Sequence, residues 1–220
     1  MGVYSVYLST YVERDVRELS NIVDALKFHR FVIAVAARCS QLLNYKALAD
    51  DADIDIQTSK AWVNILETLG IIFLLHPYSN NALKRTIKTP KVYFYDTGLV
   101  CYLTRWSSPE VAESGAMSGA LLENFTVSEI MKSYQNAGLE PHLYFYRDRD
   151  AKEIDVILKG DGKLCPLEIK KTATPDKRQT RVFGVIDKSP LQLGTGAVLC
   201  MAEQFSAFDS NNLIVPIWMI

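Results

Sequence analysis

The chain has 220 residues, 49% hydrophobic and 22% charged, with a formal net charge of −1. That length and apolar content suffice for one large core or two small ones, and the near-neutral balance gives no global field for nucleic acid, so any such contact must come from local basic patches. The four cysteines, Cys39, Cys101, Cys165 and Cys200, stand far apart with no Cys-x-x-Cys pair, which excludes a zinc-ribbon spacing and reads as reduced core thiols.

No apolar run approaches the roughly 18–20 residues needed to span a membrane. The opening Met-Gly-Val-Tyr-Ser lacks a basic leader followed by a hydrophobic core, so the expected location is cytoplasmic. His29, His76 and His142 are isolated in sequence and read as structural or surface residues.

Residues 3–19 carry a helix-like pattern that starts without a cap, as though continuing from something upstream. Asn21 is a cap candidate for a core helix through about Arg38. A short helix near residues 45–49, the acidic stretch Asp50 to Asp53 and a helix over about 57–69 ending at Gly70 follow helix-turn-helix arithmetic. Strands over 71–75 and 92–95 with a polar loop between them complete a winged-helix pattern. The loop and its end carry Lys84, Arg85, Lys88 and Lys91 with no acid among them, a candidate phosphate-contacting patch. Gln57, Thr58, Ser59, Lys60 and Asn64 offer hydrogen bonds on the second helix, although the preceding acids would repel a nucleic-acid backbone.

A short helix is predicted over 97–103. Residues 106–119, rich in Ser, Gly, Pro and Ala, read as a linker, with a domain boundary near 108. The second half opens with a long helix over 118–135, then strands over 143–147, 154–158 and 164–169, a polar helix over 176–186, and strands over 197–201 and 213–218. The expected fold is α+β in two domains: a helical winged-helix domain, 1–108, and a mixed-sheet α/β domain, 109–220.

The most informative stretch is 152–170. Two β-rich runs flank Gly160-Asp161-Gly162, whose glycines suit a tight reversal. With the tip at Asp161-Gly162, residue 159 faces 164 and facing numbers sum to 323, so Asp155 lies opposite Glu168 and Glu153 opposite Lys170. Alternation then puts Ile154, Val156 and Leu158 on one apolar face with Cys165, Leu167 and Ile169, and the carboxylates on the other. Facing like charges are destabilising and call for compensation. A divalent cation such as Mg²⁺ supplies it, because it is held by one or two carboxylates plus water and phosphates. The competing reading is a solvated ribbon whose lysines neutralise the acids.

Asp155 followed after twelve residues by Glu168-Ile169-Lys170 resembles the signature of the PD-(D/E)XK nuclease superfamily. The resemblance implies that Asp155 and Glu168 hold a metal ion, Mg²⁺ or Mn²⁺, and that Lys170 assists hydrolysis. Four stretches together, Tyr7 to Val16, Pro90-Lys-Val-Tyr-Phe-Tyr-Asp-Thr-Gly-Leu99, Leu121-Leu-Glu-Asn-Phe125 and Leu167 to Lys170, resemble the C-terminal region, of unknown function, of a group of prokaryotic AAA+-type ATPases. That resemblance implies an upstream P-loop ATPase module as partner. It also implies Glu123 as the acid completing the metal site, with Glu129 on a different helix face as the weaker candidate. This chain contains no Gly-x-x-x-x-Gly-Lys-[Ser/Thr] loop, so no ATP binding is expected from it.

Lys171, Lys177, Arg178 and Arg181 beside Lys170 form a second candidate nucleic-acid patch. The expected function is nucleic-acid binding with metal-dependent phosphodiester cleavage. The alternative is a non-catalytic interaction module that regulates the ATPase.

Overall fold

The computed structural model describes Tyr4, Val6 and residues 24–79 and 86–220. The expectations for the rest of the first helix, for Asn21 as a cap, and for Lys84 and Arg85 lie outside the described residues. Packing divides the chain into two units, Met1–Leu74 with Lys91–Phe125 and Leu75–Pro90 with Thr126–Ile220. This division by packing falls inside the long helix. It also assigns the loop between the first two strands to the second unit.

In the first unit, helix α1 (Ala25–Ala36) starts where the Asp24 carboxylate accepts from the N–H groups of Leu26 and Lys27. Asn44 caps α2 (Tyr45–Ala52) and Asp55 caps α3 (Ile56–Thr68) in the same way. The apolar faces of these helices meet around Phe28, Phe31 and Trp62, whose rings pack edge to face at 5.2 and 5.3 Å between centroids. A two-stranded sheet, β1 (Ile72–Leu75) and β2 (Lys91–Phe94), follows.

The acidic stretch is not an open repulsive surface. Asp50 pairs with Lys46, Asp51 with Arg38 and Asp53 with Lys27, at 2.8, 2.6 and 2.8 Å. Ser59 is fully buried, so of the polar residues expected to face outward on α3 only Gln57, Lys60 and Asn64 are exposed.

Helix α4 (Thr97–Leu103) is capped by Asp96. The expected linker is helical: α5 (Pro109–Ser114), capped by Ser108, leads to α6 (Ser118–Asn136). Gly115 explains part of the small-residue composition there, because a Cβ at that position would meet the Trp106 ring at 2.3 Å.

Asn124, fully buried on α6, joins the helix to the end of β2. Its carbonyl accepts from the Phe94 N–H at 2.8 Å, and its amide donates to the Phe94 carbonyl at 3.1 Å and to Thr97 Oγ1 at 2.9 Å. One side chain thus stands in for a neighbouring strand. Asn124→Leu should lower stability by roughly 3 kcal/mol or more, because two backbone groups and a hydroxyl lose their partners in a dry interior. Urea unfolding checks this, and a loss under 1 kcal/mol would show that water substitutes for the amide.

The second unit holds a seven-stranded mixed sheet in the order β3-β4-β5-β7-β9-β8, with β6 (Gln192–Leu193) beside β5. Its strands are β3 (Leu143–Arg147), β4 (Glu153–Gly160), β5 (Lys163–Lys170), β7 (Gly196–Cys200), β8 (Ser206–Asp209) and β9 (Asn212–Pro216). The β4–β5 hairpin has the expected register, from Gly160 opposite Lys163 to Val156 opposite Leu167. Asp161 and Gly162 turn it with φ of 49° and 73°, the pair of positive values of a type I′ reversal.

The expected polar helix is a 3-10 helix, Lys177–Lys188, whose buried residues Thr180, Phe183 and Ile186 recur every third position, matching its three residues per turn. Phe183 and Ile186 pack with Tyr146, Ile154, Ile157 and Leu164. The described ends of the segment after β1 are tied to β3. Tyr78 N–H donates to the Phe145 carbonyl at 2.6 Å and Ile87 N–H to that of Arg147 at 3.0 Å, so Tyr78 and Ile87 lie along the outer edge of β3.

Candidate functional site

The alternation expected along β4 fails at one place, and that place holds Asp155. Between the pairs Tyr144–Ile157 and Tyr146–Ile154, β3 advances two residues while β4 advances three. Asp155 and Val156 together oppose Phe145, which is a β-bulge. Bulges bend a strand and re-aim a side chain. Ile154 and Ile157 consequently share one apolar cluster, which strict alternation forbids, and the single apolar face drawn through Ile154, Val156 and Leu158 is corrected accordingly.

Asp155 and Glu168 are each only 8% exposed, so the acids do not lie on a solvated ribbon. The Asp155 carboxylate accepts from the Ile169 N–H at 2.8 Å through Oδ2. Lys170 Nζ stands 2.5 Å from Glu168 Oε1 and 3.7 Å from Asp155 Oδ2. Leu164, Glu168 and Lys170 share one face of β5 by the two-residue period. The 3-10 helix covers the Leu164 end of that face, and the acids lie further along it.

Two carboxylates and one ammonium leave one negative charge. Glu168 Oε2 is buried without a hydrogen-bond partner, a costly arrangement for a carboxylate oxygen. Burial first, and then the Asp155 charge, push Glu168 from the ordinary 4.5 up to about 7, with Lys170 pulling the other way. The donor set suits a hard divalent cation: two hard oxygen ligands side by side, a net negative charge, and an orphaned oxygen that a cation would satisfy. Among the described residues, however, no group of three or more His, Cys, Asp and Glu side chains is arranged to hold a metal ion.

Glu123, expected as the third acid, has other partners. Its Oε1 accepts from Lys91 Nζ at 2.9 Å and from the Tyr93 hydroxyl at 2.6 Å. The Lys91 side chain is 4% exposed, so Lys91 is not a phosphate-facing cation and leaves the first basic patch. It points inward because Lys91 and Tyr93 share one face of β2. The Pro90 to Leu99 and Leu121 to Phe125 stretches therefore interlock, through Glu123 and Asn124. Sequence reading missed Tyr93 and Asn124; the signal available was the same-face spacing of Lys91 and Tyr93. Glu129 pairs with Lys132 on its own helix.

Lys88 is exposed. In the second patch, Lys177 pairs with Asp209 at 2.8 Å and Arg178 with Asp176 at 2.6 Å, while Lys171 and Arg181 are exposed. The cavity of about 500 Å³ bordered by Lys163, Thr180, Gly194 and Asn212 lies at the opposite end of β5 from the acids.

Residues 2–110 match a family described as a domain of unknown function, DUF8612, and residues 118–220 match a second, DUF4143. Uncharacterised proteins of Mycobacterium tuberculosis and Mycobacterium bovis are each 27% identical over 211 residues, covering 96% of this chain and 46% of the relative. The chain thus spans about half the length of these curated relatives. No solved structure matches significantly. No helix among the described residues is long and apolar enough to cross a membrane.

Proposed function

We propose that the second unit carries a metal-dependent phosphodiester-cleaving site of the PD-(D/E)XK type, in which Asp155 and Glu168 hold Mg²⁺ or Mn²⁺ and the substrate is nucleic acid. The observation that supports it most is Glu168, buried beside Asp155 and Lys170 with one oxygen lacking a donor. A bound divalent ion would supply Lewis-acid polarisation of a phosphoryl oxygen and a lowered pKa for water.

The chain's own residues would do the rest. Asp155, oriented by the Ile169 N–H and by the bulge, and Glu168, fixed on a central strand, present oxygens from two adjacent strands. The Lys170 ammonium, already between the two acids, is placed to donate a hydrogen bond to a phosphoryl oxygen or to orient an attacking water. In this reading the helices α1–α3 with β1 and β2 form a winged helix. An upstream ATPase module and a cytoplasmic setting belong to the same proposal.

Mn²⁺ should raise the melting temperature of the wild type and permit cleavage of single- or double-stranded substrates. Asp155→Asn should abolish both effects, and Lys170→Ala should lower cleavage by at least about 100-fold while keeping metal-induced stabilisation. Absence of both stabilisation and cleavage in the wild type would remove catalysis.

A second reading, an interaction module regulating an ATPase, is favoured by one observation. Glu123, the acid expected to complete the site, is bound by Lys91 and Tyr93. Metal binding without cleavage of any substrate would select it.

A further inference from the structure

The strands β5, β7 and β9 are parallel and in register, with Lys170 beside Cys200 and Cys200 beside Pro216. Their C-terminal ends therefore form one rim. At about 4.8 Å per strand, the backbone of Pro216 lies only about 10 Å from that of Lys170.

The segments leaving this rim hold an unusual set of solvent-facing side chains. Trp218 is 70% exposed, and Phe205, Met219 and Met201 are each about half exposed. Met201 N–H donates to the Thr172 carbonyl at 2.9 Å, which ties the segment after β7 to the one after β5 that begins at Lys171. Large apolar side chains left in water together at one end of a sheet mark an interaction surface.

We infer that this rim binds single-stranded nucleic acid, with Lys170 and Lys171 meeting phosphates and Trp218 and Phe205 stacking on unpaired bases. The inference rests on the nucleic-acid reading of the site and names its substrate class. A duplex hides the faces of its bases, so an aromatic rim gains nothing from it beyond backbone contacts. A single strand offers phosphates to lysines and π faces to aromatic rings at once, which is the pairing used by single-strand binders. Charge decides against a purely apolar partner, because the rim begins at the exposed Lys171 and at Lys170, whose cluster with Asp155 and Glu168 turns net positive once a divalent ion is bound.

The test is fluorescence anisotropy with labelled oligothymidylate of about 12 nucleotides, within the usual site size, and a duplex of equal length. Ca²⁺ replaces Mg²⁺ and Mn²⁺, so that the two acids are compensated while cleavage is suppressed. The wild type should prefer the single strand. Trp218→Ala and Phe205→Ala should each weaken it by roughly 5- to 100-fold, the range for loss of one stacked base, while leaving duplex affinity unchanged; Trp218→Phe should retain most of it. Both aromatics are solvent-facing, so these variants should keep the wild-type unfolding midpoint.

Unchanged single-strand affinity in Trp218→Ala overturns the rim but leaves the metal site standing. A wild type that binds no nucleic acid at all overturns both. A wild type that self-associates in sedimentation, with Trp218→Ala monomeric and binding unaltered, assigns the rim to protein contact and also overturns the inference.

Discussion

Lys91→Met should lower the stability of the first unit by about 3–5 kcal/mol, the usual penalty for removing one partner of a buried ion pair. Lys91 is almost wholly enclosed, its ammonium is 2.9 Å from Glu123 Oε1, and the Tyr93 hydroxyl donates to the same oxygen. Methionine keeps the length of the stem but strands the carboxylate in a poorly solvated place. The double variant Lys91→Met/Glu123→Leu should recover most of the loss, since replacing both partners removes the unpaired charge. Urea unfolding of the two singles and the double gives the coupling.

Glu123→Gln separates two roles for the same residue. In a structural role it should leave the Mn²⁺-induced rise in melting temperature intact. If that rise disappears while Lys91→Met retains it, Glu123 is a metal ligand after all.

Glu168→Gln should make the protein more stable than wild type at pH 8 in EDTA, by up to about 3 kcal/mol. Folding raises this carboxyl from 4.5 to about 7, so between those pH values the folded chain holds a proton that the unfolded chain has lost. Stability from this group is fully present below about pH 4.5 and is lost as pH rises through about 7. At about 1.4 kcal/mol per pH unit the span gives the figure above, and the Lys170 ion pair reduces what is observed. Glutamine mimics the protonated acid at every pH, so the difference between the two unfolding curves should grow from about pH 4.5 to 7 and then level off. Added Mn²⁺ should reverse the order at pH 8, because a ligand that binds the folded state alone stabilises it by mass action, and only the wild type keeps both carboxylates. A pH-independent difference would show that folding leaves the Glu168 carboxyl unshifted.

The hairpin that holds this residue shows how far sequence reaches. Its register was legible because a reversal at Asp161-Gly162 is local chemistry: two consecutive positive φ values set the turn, and the turn sets every pair outward to Val156 and Leu167. The helices α2 and α3 and the strands β3 and β7 were readable for the same reason, since apolar runs and their flanking breakers act within a few residues. The polar helix over 176–186 was legible, but its 3-10 pitch was not, because the three-residue spacing of Thr180, Phe183 and Ile186 has meaning only once there is a sheet for that face to pack on.

What the sequence by itself determined is therefore the set of elements, the pairing of β4 with β5, and the nearness of Asp155, Glu168 and Lys170. The tertiary structure alone decided their surroundings. The bulge at Asp155 and Val156 answers to β3, a neighbouring strand, and no local pattern marks it. Burial of the two acids follows from β5 lying at the centre of a sheet covered on both faces between Pro166 and Ile169, and burial is what raises Glu168. Lys91 looked like a surface cation until Glu123, some thirty residues away, drew it inward. In each case the deciding quantity is desolvation by distant chain, which depends on which elements stack and is not written in any one of them.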